Sequence, residues 1–211
     1  MKKLIPILML LVMLCAARGA SALPPPLPSP GSPTWCFKYR ANEYFENHTL
    51  NQWAIWNNST GSVGETTQTS YPAGGTAASI YISQYDAQGA FIILDHPYDA
   101  HYGYFTQLSN QRGCPTSIPQ PTGNPKWCQL VAYVHAETHT TGSIQMLASD
   151  YTYQATYNFD LPPSGTNNWI GMQTDVVTSC TQNMIARIGF GKRIYEENRA
   201  YLDYITVNWW Y

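Results

Sequence analysis

The chain has 211 residues, of which 44% are hydrophobic, 14% aromatic and only 11% charged, enough apolar material for one sizeable core and too aromatic for a disordered chain. Three of its eleven cations, Lys2, Lys3 and Arg18, fall in the first 22 residues, which leaves 8 Lys and Arg against 13 Asp and Glu in the rest, a formal charge of −5. That balance, with no basic run, excludes backbone binding to nucleic acid.

The N-terminus opens with Lys2 and Lys3, runs apolar from Leu4 to Ala17 and reaches Ala20-Ser21-Ala22, the order of a secretory signal peptide. The apolar run is shorter than the ~20 residues that span a bilayer, and Leu14 precedes Cys15 where a lipoprotein signal wants a small residue. The expectation is a signal peptide over residues 1–22, no membrane span, and a secreted, extracellular protein of bacterial type. Residues 23–33 carry six prolines and predict an extended spacer that cannot enter a core. The domain is expected over residues 34–211.

Within that domain, helical periodicity is scarce and period-two alternation bounded by Gly, Pro, Asn and Ser recurs. Strands are predicted at Ala77–Tyr85, Ala90–Asp95, Cys128–Glu137, Gly142–Ser149, Thr152–Phe159, Trp169–Val177, Asn183–Phe190 and Ala200–Trp209. The fold class is all-β, a two-sheet antiparallel sandwich. In Cys128–Glu137, Leu130, Val134 and Ala136 point one way and Gln129, Tyr133, His135 and Glu137 the other. Ile144, Met146 and Ala148 are core against Gln145; Met184, Ala186, Ile188 and Phe190 are core against Arg187. If these strands are neighbours, one outer face carries Tyr, His, Gln and Arg together.

Once Cys15 has left with the signal, four cysteines remain, Cys36, Cys114, Cys128 and Cys180, an even number suited to two disulfides in an oxidising compartment. Three pairings are open. Cys114 with Cys128 is favoured because the two flank a Pro/Gly-rich loop, which leaves Cys36 for Cys180. A zinc site would need close cysteine pairs, and none is present.

Two segments at opposite ends of the domain matter together: Asn42-Glu43-Tyr44-Phe45-Glu46 with Trp53 six residues on, and Ala200-Tyr201-Leu202-Asp203-Tyr204-Ile205-Thr206-Val207. They resemble the opening N-x-x-F-E … W and closing h-D-x-I-x-V signature of bacterial carbohydrate-binding modules of families four and nine, which are galactose-binding-like jelly rolls. Gly75–Ile82, Leu130–Ala136 and Asn168-Trp169 follow the order of the same pattern. The departures are an insertion around residues 106–128 and the lack of an attached catalytic domain.

The resemblance implies that Glu46 and Asp203 supply carboxylate oxygens to a structural Ca²⁺. Calcium takes six to eight oxygen ligands, and two acids brought together repel unless a cation or proton intervenes. The alternative is that both are surface carboxylates, or that Glu46 pairs with Arg199 or Lys192. Sugar binding needs flat apolar surface for pyranose C–H faces, with planar hydrogen-bonding groups beside it. Tyr133, His135, Gln145 and Arg187 are the candidates on the open sheet face, and Trp56, Tyr85 and Tyr98 the candidates in loops. Trp53 and Trp169 read as structural.

Two other classes stay open. A glycosidase would need a carboxylate pair flanking a cleft, such as Glu137 with Asp95 or Asp150, and a lyase could use His135 with Tyr133; no motif selects either. His96, His101 and His139 fall in expected loops at irregular spacings. A subunit of an extracellular filament, surface layer or adhesin would self-assemble, and the C-terminal Trp209-Trp210-Tyr211 offers an aromatic strand for it.

Overall fold

The computed structural model describes residues 37–43, 45–46, 49–71, 75–99, 104–107, 124–125, 127–165, 168–178, 180–192 and 195–210. The signal peptide, the Pro-rich spacer, Cys36, Cys114, His101 and Tyr211 lie outside the described residues. The described part is an all-β sandwich of two antiparallel sheets. Twelve strands run in chain order: β1 (Phe37–Glu43), β2 (Ala54–Asn57), β3 (Ser62–Thr66), β4 (Ala77–Ile82), β5 (Phe91–Asp99), β6 (Tyr104–Gln107), β7 (Trp127–Ala136), β8 (Thr140–Ala148), β9 (Tyr153–Leu161), β10 (Ile170–Gln173), β11 (Asn183–Gly191) and β12 (Asn198–Trp210).

The seven-stranded sheet is organised by β12. One side of this thirteen-residue strand pairs with β7; the other pairs with β4 along Asn198–Leu202 and with β1 along Ile205–Trp210. β10 flanks β7, β6 flanks β1 and β3 flanks β4. The changeover coincides with a bulge between Asp203 and Thr206, where Tyr204 adopts φ 48°. An extra residue in a strand reverses which parity faces inward. Ala200 and Leu202 are buried before the bulge, and Ile205, Val207 and Trp209 after it. The spacing Leu202-Asp203-Tyr204-Ile205 encodes that switch.

The five-stranded sheet has the order β2-β5-β11-β8-β9. Ile92 and Leu94, Ile144 and Met146, and Met184, Ala186, Ile188 and Phe190 turn to the interior and meet Ile80, Leu130, Val134 and Leu202 of the other sheet in one core. At about 1.5–3 kcal/mol for each fully buried large apolar side chain, this inter-sheet layer is the main source of stability. The inward rows are those read from the alternation.

Three expectations are corrected here. Cys128 is bonded to Cys180, across 52 residues of sequence, and not to Cys114. The segment after β10 returns along β7 so that Cys128 and Val177 exchange backbone hydrogen bonds of 3.0 and 2.9 Å, and this register, not loop length, sets the two Cα atoms 5.9 Å apart. Next, β7 lies between β12 and β10, in the sheet opposite β8 and β11, so the four polar candidates do not share one face. Finally, Trp209 and Trp210 are buried in a strand paired on both sides, and the Trp209 Nε1–H donates to the Thr181 carbonyl at 3.2 Å. Of the aromatic surface expected at Trp209-Trp210-Tyr211, the two described residues are therefore buried.

Candidate functional site

The outer face of the five-stranded sheet gathers polar and aromatic groups in cross-strand rows. Paired residues share a face, so register fixes the rows. The first runs Ala54, Asp95, Arg187, Gln145, Thr156. Beside it run Trp56, Ile93, Gly189, Ser143, Asn158 on one side and Pro97, Ile185, Leu147, Tyr153 on the other. Beyond the Trp56 row lie Phe91, Gly191, Thr141 and Asp160.

Arg187 is the centre of this face. Its Nε–H donates to Asp95 Oδ1 and its Nη2–H to Asp95 Oδ2, both at 2.7 Å, the bidentate fork that Arg and carboxylate form best. Asp95 is 2% exposed, while part of the guanidinium stays open. The Arg187 guanidinium carbon lies 5.6 Å from the centre of the Tyr151 ring, within cation–π reach. The bond to Asp95 holds the Arg187 pKa above its ordinary value; burial opposes this. Tyr151 reaches its place because the β8–β9 turn carries it at φ 66°, with its N–H bonded to the Ala148 carbonyl at 2.9 Å.

Large apolar surface flanks this polar centre. Trp56 stands 57% exposed at the β2 edge, and Tyr151 and Tyr153 are exposed at the β9 side. Gly189 leaves the floor beside Arg187 low; a Cβ there would meet only Ser143 and Ile93 side chains, at ordinary contact distance. Leu147 and Ile185, outward by register, are nevertheless buried and add an apolar floor under the Tyr153 side. Four strand spacings separate β2 from β9, about 19 Å at ~4.8 Å each.

Of the predicted site residues, Gln145, Arg187 and Trp56 are therefore brought together on this face, Trp56 from an edge strand rather than a loop. Tyr98 is not a loop residue: β5 continues through Pro97, and Tyr98 turns inward, 6% exposed, with His96 beside it. His96 is also a strand residue, its ring packed against Trp53 at 4.9 Å. Tyr85 is fully exposed in the turn between β4 and β5, which belong to different sheets, so it stands at an end of the sandwich. Asp95, Tyr151 and Tyr153 complete the face. Asp95 was discernible as the outward, charged position after the apolar run Ile92-Ile93-Leu94; nothing local marked the two tyrosines.

Tyr133 and His135 lie on the outer face of the other sheet, among aromatic neighbours. Tyr133 stacks on Tyr71 at 4.3 Å and packs edge-on to Tyr204 at 5.4 Å; burial first, then the bond with Tyr71, raise its pKa. His135 is buried against Tyr201 and Trp169, and its Nδ1 meets Ser164 Oγ at 2.8 Å and the Asn168 carbonyl at 3.1 Å. Trp169, like Trp53, has a buried ring N–H without a hydrogen-bond partner. Glu137 accepts the Tyr201 hydroxyl at 2.9 Å, on the opposite sheet from Asp95.

Glu46 and Asp203 converge on one loop. Asp203, 1% exposed, accepts the Tyr71 N–H on Oδ2 at 2.8 Å and the Tyr204 N–H on Oδ1 at 2.7 Å. Glu46 Oε1 accepts the Thr76 N–H at 2.9 Å. A Cβ on Gly75 would fall 2.0 Å from Glu46 Oε1, so this glycine admits the carboxylate. Arg199 pairs with Glu197 at 3.0 Å, and Lys192 donates to the Ser83 and Gln84 carbonyls. Among the described residues, no group of three or more His, Cys, Asp or Glu gathers that could hold a metal ion.

No protein-family model matches the sequence, and no curated protein matches it. Solved structures do. TmCBM61 in complex with β-1,4-galactotriose matches with a TM-score of 0.52 at 9% identity, over 78% of this chain and 93% of that one. A CBM4 structure matches at 0.45 and 12%, over 77% and 97%. The K1 cleaved adhesin domain of Lys-gingipain from Porphyromonas gingivalis W83 matches at 0.48 and 11%, over 80% and 96%. At such identities the likeness concerns the fold. Among the described residues no helix is long and apolar enough to cross a membrane, and the disulfide is consistent with an oxidising, extracellular setting. The chain is a β-sandwich whose structural neighbours include carbohydrate-binding modules.

Proposed function

We propose that the chain is a secreted module that binds polysaccharide on the outer face of its five-stranded sheet, making and breaking no bond. The observation that carries this reading is Arg187, held by Asp95 and faced by Tyr151, on the same sheet face as the exposed Trp56. A preformed donor next to flat aromatic surface is what a pyranose needs: C–H faces stack on the rings, and hydroxyls meet the guanidinium and the Gln145 amide. The ~19 Å breadth of the sheet suits an oligosaccharide segment crossing the strands.

We further propose that Glu46 and Asp203 hold a structural Ca²⁺. Asp203 accepts the N–H of Tyr71 and Glu46 that of Thr76, on the two sides of the β3–β4 loop, the glycine at 75 leaves room for Glu46, and carboxylate oxygens are the hard ligands that calcium takes. The remaining ligands would be carbonyls.

The test is retention of the purified protein on a panel of insoluble and gel-embedded polysaccharides, with released sugar measured in the same samples. Retention without release is the expected result. Failure of every polysaccharide to retain it, or release of product, overturns the reading.

A further inference from the structure

Among the described residues, the four cross-strand rows of the open face carry a single cation, and that cation is already neutralised. Among the described residues of its four rows the charged side chains are Asp95, Arg187 and Asp160, and Asp160 is met by His139 at 2.7 Å. We propose that Asp95 sets the charge selectivity of the face: by holding Arg187 as half of a neutral pair, it makes the guanidinium an oriented hydroxyl donor for neutral polysaccharide and denies it to uronates. This inference rests on the glycan-binding reading and goes beyond it by naming the ligand class and the residue responsible.

The donor count supports the assignment. A guanidinium has five N–H donors in a rigid fork, of which Asp95 takes one on Nε and one on Nη2. The fork is thereby fixed about its axis with its remaining donors directed away from the carboxylate. A uronate carboxylate is left only the Nη1/Nη2 edge, since Asp95 takes the Nε/Nη2 edge, and meets there a guanidinium whose charge Asp95 already offsets. It would also approach a buried anion that water cannot screen well, with no second cation in these rows to offset it. A sugar hydroxyl needs only one donor and brings no charge. A guanidinium stays protonated throughout the neutral pH range, so the selectivity holds across it.

The test compares wild type, Asp95→Asn and Arg187→Gln against galactan and xylan, as neutral chains, and polygalacturonate, each at low and high salt, with the fold followed by circular dichroism. Wild type is expected to bind a neutral chain with little salt dependence and to ignore polygalacturonate. Asp95→Asn frees the bidentate edge and leaves a net positive charge. It should gain polygalacturonate binding on the order of tenfold, lost again at high salt, while neutral binding falls. Arg187→Gln should weaken neutral binding and gain nothing. If Asp95→Asn unfolds, wild-type selectivity and Arg187→Gln carry the decision: polygalacturonate binding equal to neutral binding, or unchanged neutral binding in Arg187→Gln, overturns the proposal. A folded Asp95→Asn with unaltered selectivity overturns it too, and leaves the glycan-binding reading standing. Wild type that binds no polysaccharide of the wider panel removes both.

Discussion

Replacing Cys128 and Cys180 together by alanine tests the register that joins β7 to the segment after β10. The bridge closes 52 residues of sequence, and the chain-entropy estimate for a loop of that length is about 4 kcal/mol at 25 °C. Both sulfurs are buried, so lost packing adds to the effect. Single domains hold about 5–15 kcal/mol of net stability, and for this size each kcal/mol moves the melting temperature by about 2–4 °C. The double variant should therefore melt about 8–16 °C below wild type, with a fall in the urea midpoint and a urea slope no smaller than that of wild type, because the unfolded chain is released. Peptide mapping of the non-reduced wild type should recover Cys128 linked to Cys180. Linkage of Cys128 to Cys114, or a melting temperature within 2–3 °C of wild type, would refute the reasoning, since either means that the strand register does not constrain this loop.

Asp203→Ala leaves the N–H groups of Tyr71 and Tyr204 without their acceptor beside a buried strand and should cost about 2–4 kcal/mol in chemical denaturation; a loss below 1 kcal/mol contradicts the weight given to those two bonds. If Ca²⁺ binds there, wild type melts higher with calcium than with chelator and Asp203→Ala does not; no difference in wild type ends the calcium proposal. Tyr133→Ala removes a ring that packs on Tyr71 and Tyr204 and should lower the melting temperature while leaving glycan retention intact; lost retention in a stable variant would return the site to that sheet. The raised Tyr133 and Tyr201 pKa values favour the neutral phenols in the folded state. Their stabilisation is fully present below pH 10 and is lost as pH rises through the folded-state values, so stability measured up to pH 12 should fall more steeply in wild type than in Tyr133→Phe/Tyr201→Phe; equal slopes refute this.

The sequence made strands legible where alternation was long and one face strictly apolar, as in Met184–Phe190 or Leu130–Ala136. It left β2, β3 and β6 unread because four or five residues, half of them polar, carry too little period. β1 was obscured in another way: Asn42 and Glu43 were read as part of a motif, while the strand that contains them is set by its pairing with β12. Alternation also gives parity and not partnership. Gln145 and Arg187 do face each other, but nothing in the residues of β7 told that its outward Tyr133 and His135 belong to the opposite sheet. The strand expected to end at Asp95 runs on through Pro97, an outward position where a proline is tolerated, and this carries Tyr98 into the core. The cysteine pairing failed for the same reason: proximity in sequence competed with proximity by register, and register prevailed.

Titration calorimetry on variants of opposite faces, Trp56→Ala and Tyr71→Ala, with the polysaccharide that retains wild type, decides which sheet binds. Trp56 is exposed on the five-stranded sheet and Tyr71 half-exposed on the other. Loss of a stacking aromatic typically costs about 1–3 kcal/mol of binding, so Trp56→Ala should bind on the order of tenfold or more weakly at an unchanged melting temperature, and Tyr71→Ala should bind as wild type does. Equal affinity in Trp56→Ala, or a loss confined to Tyr71→Ala, would place the ligand elsewhere and contradict the assignment of the open face.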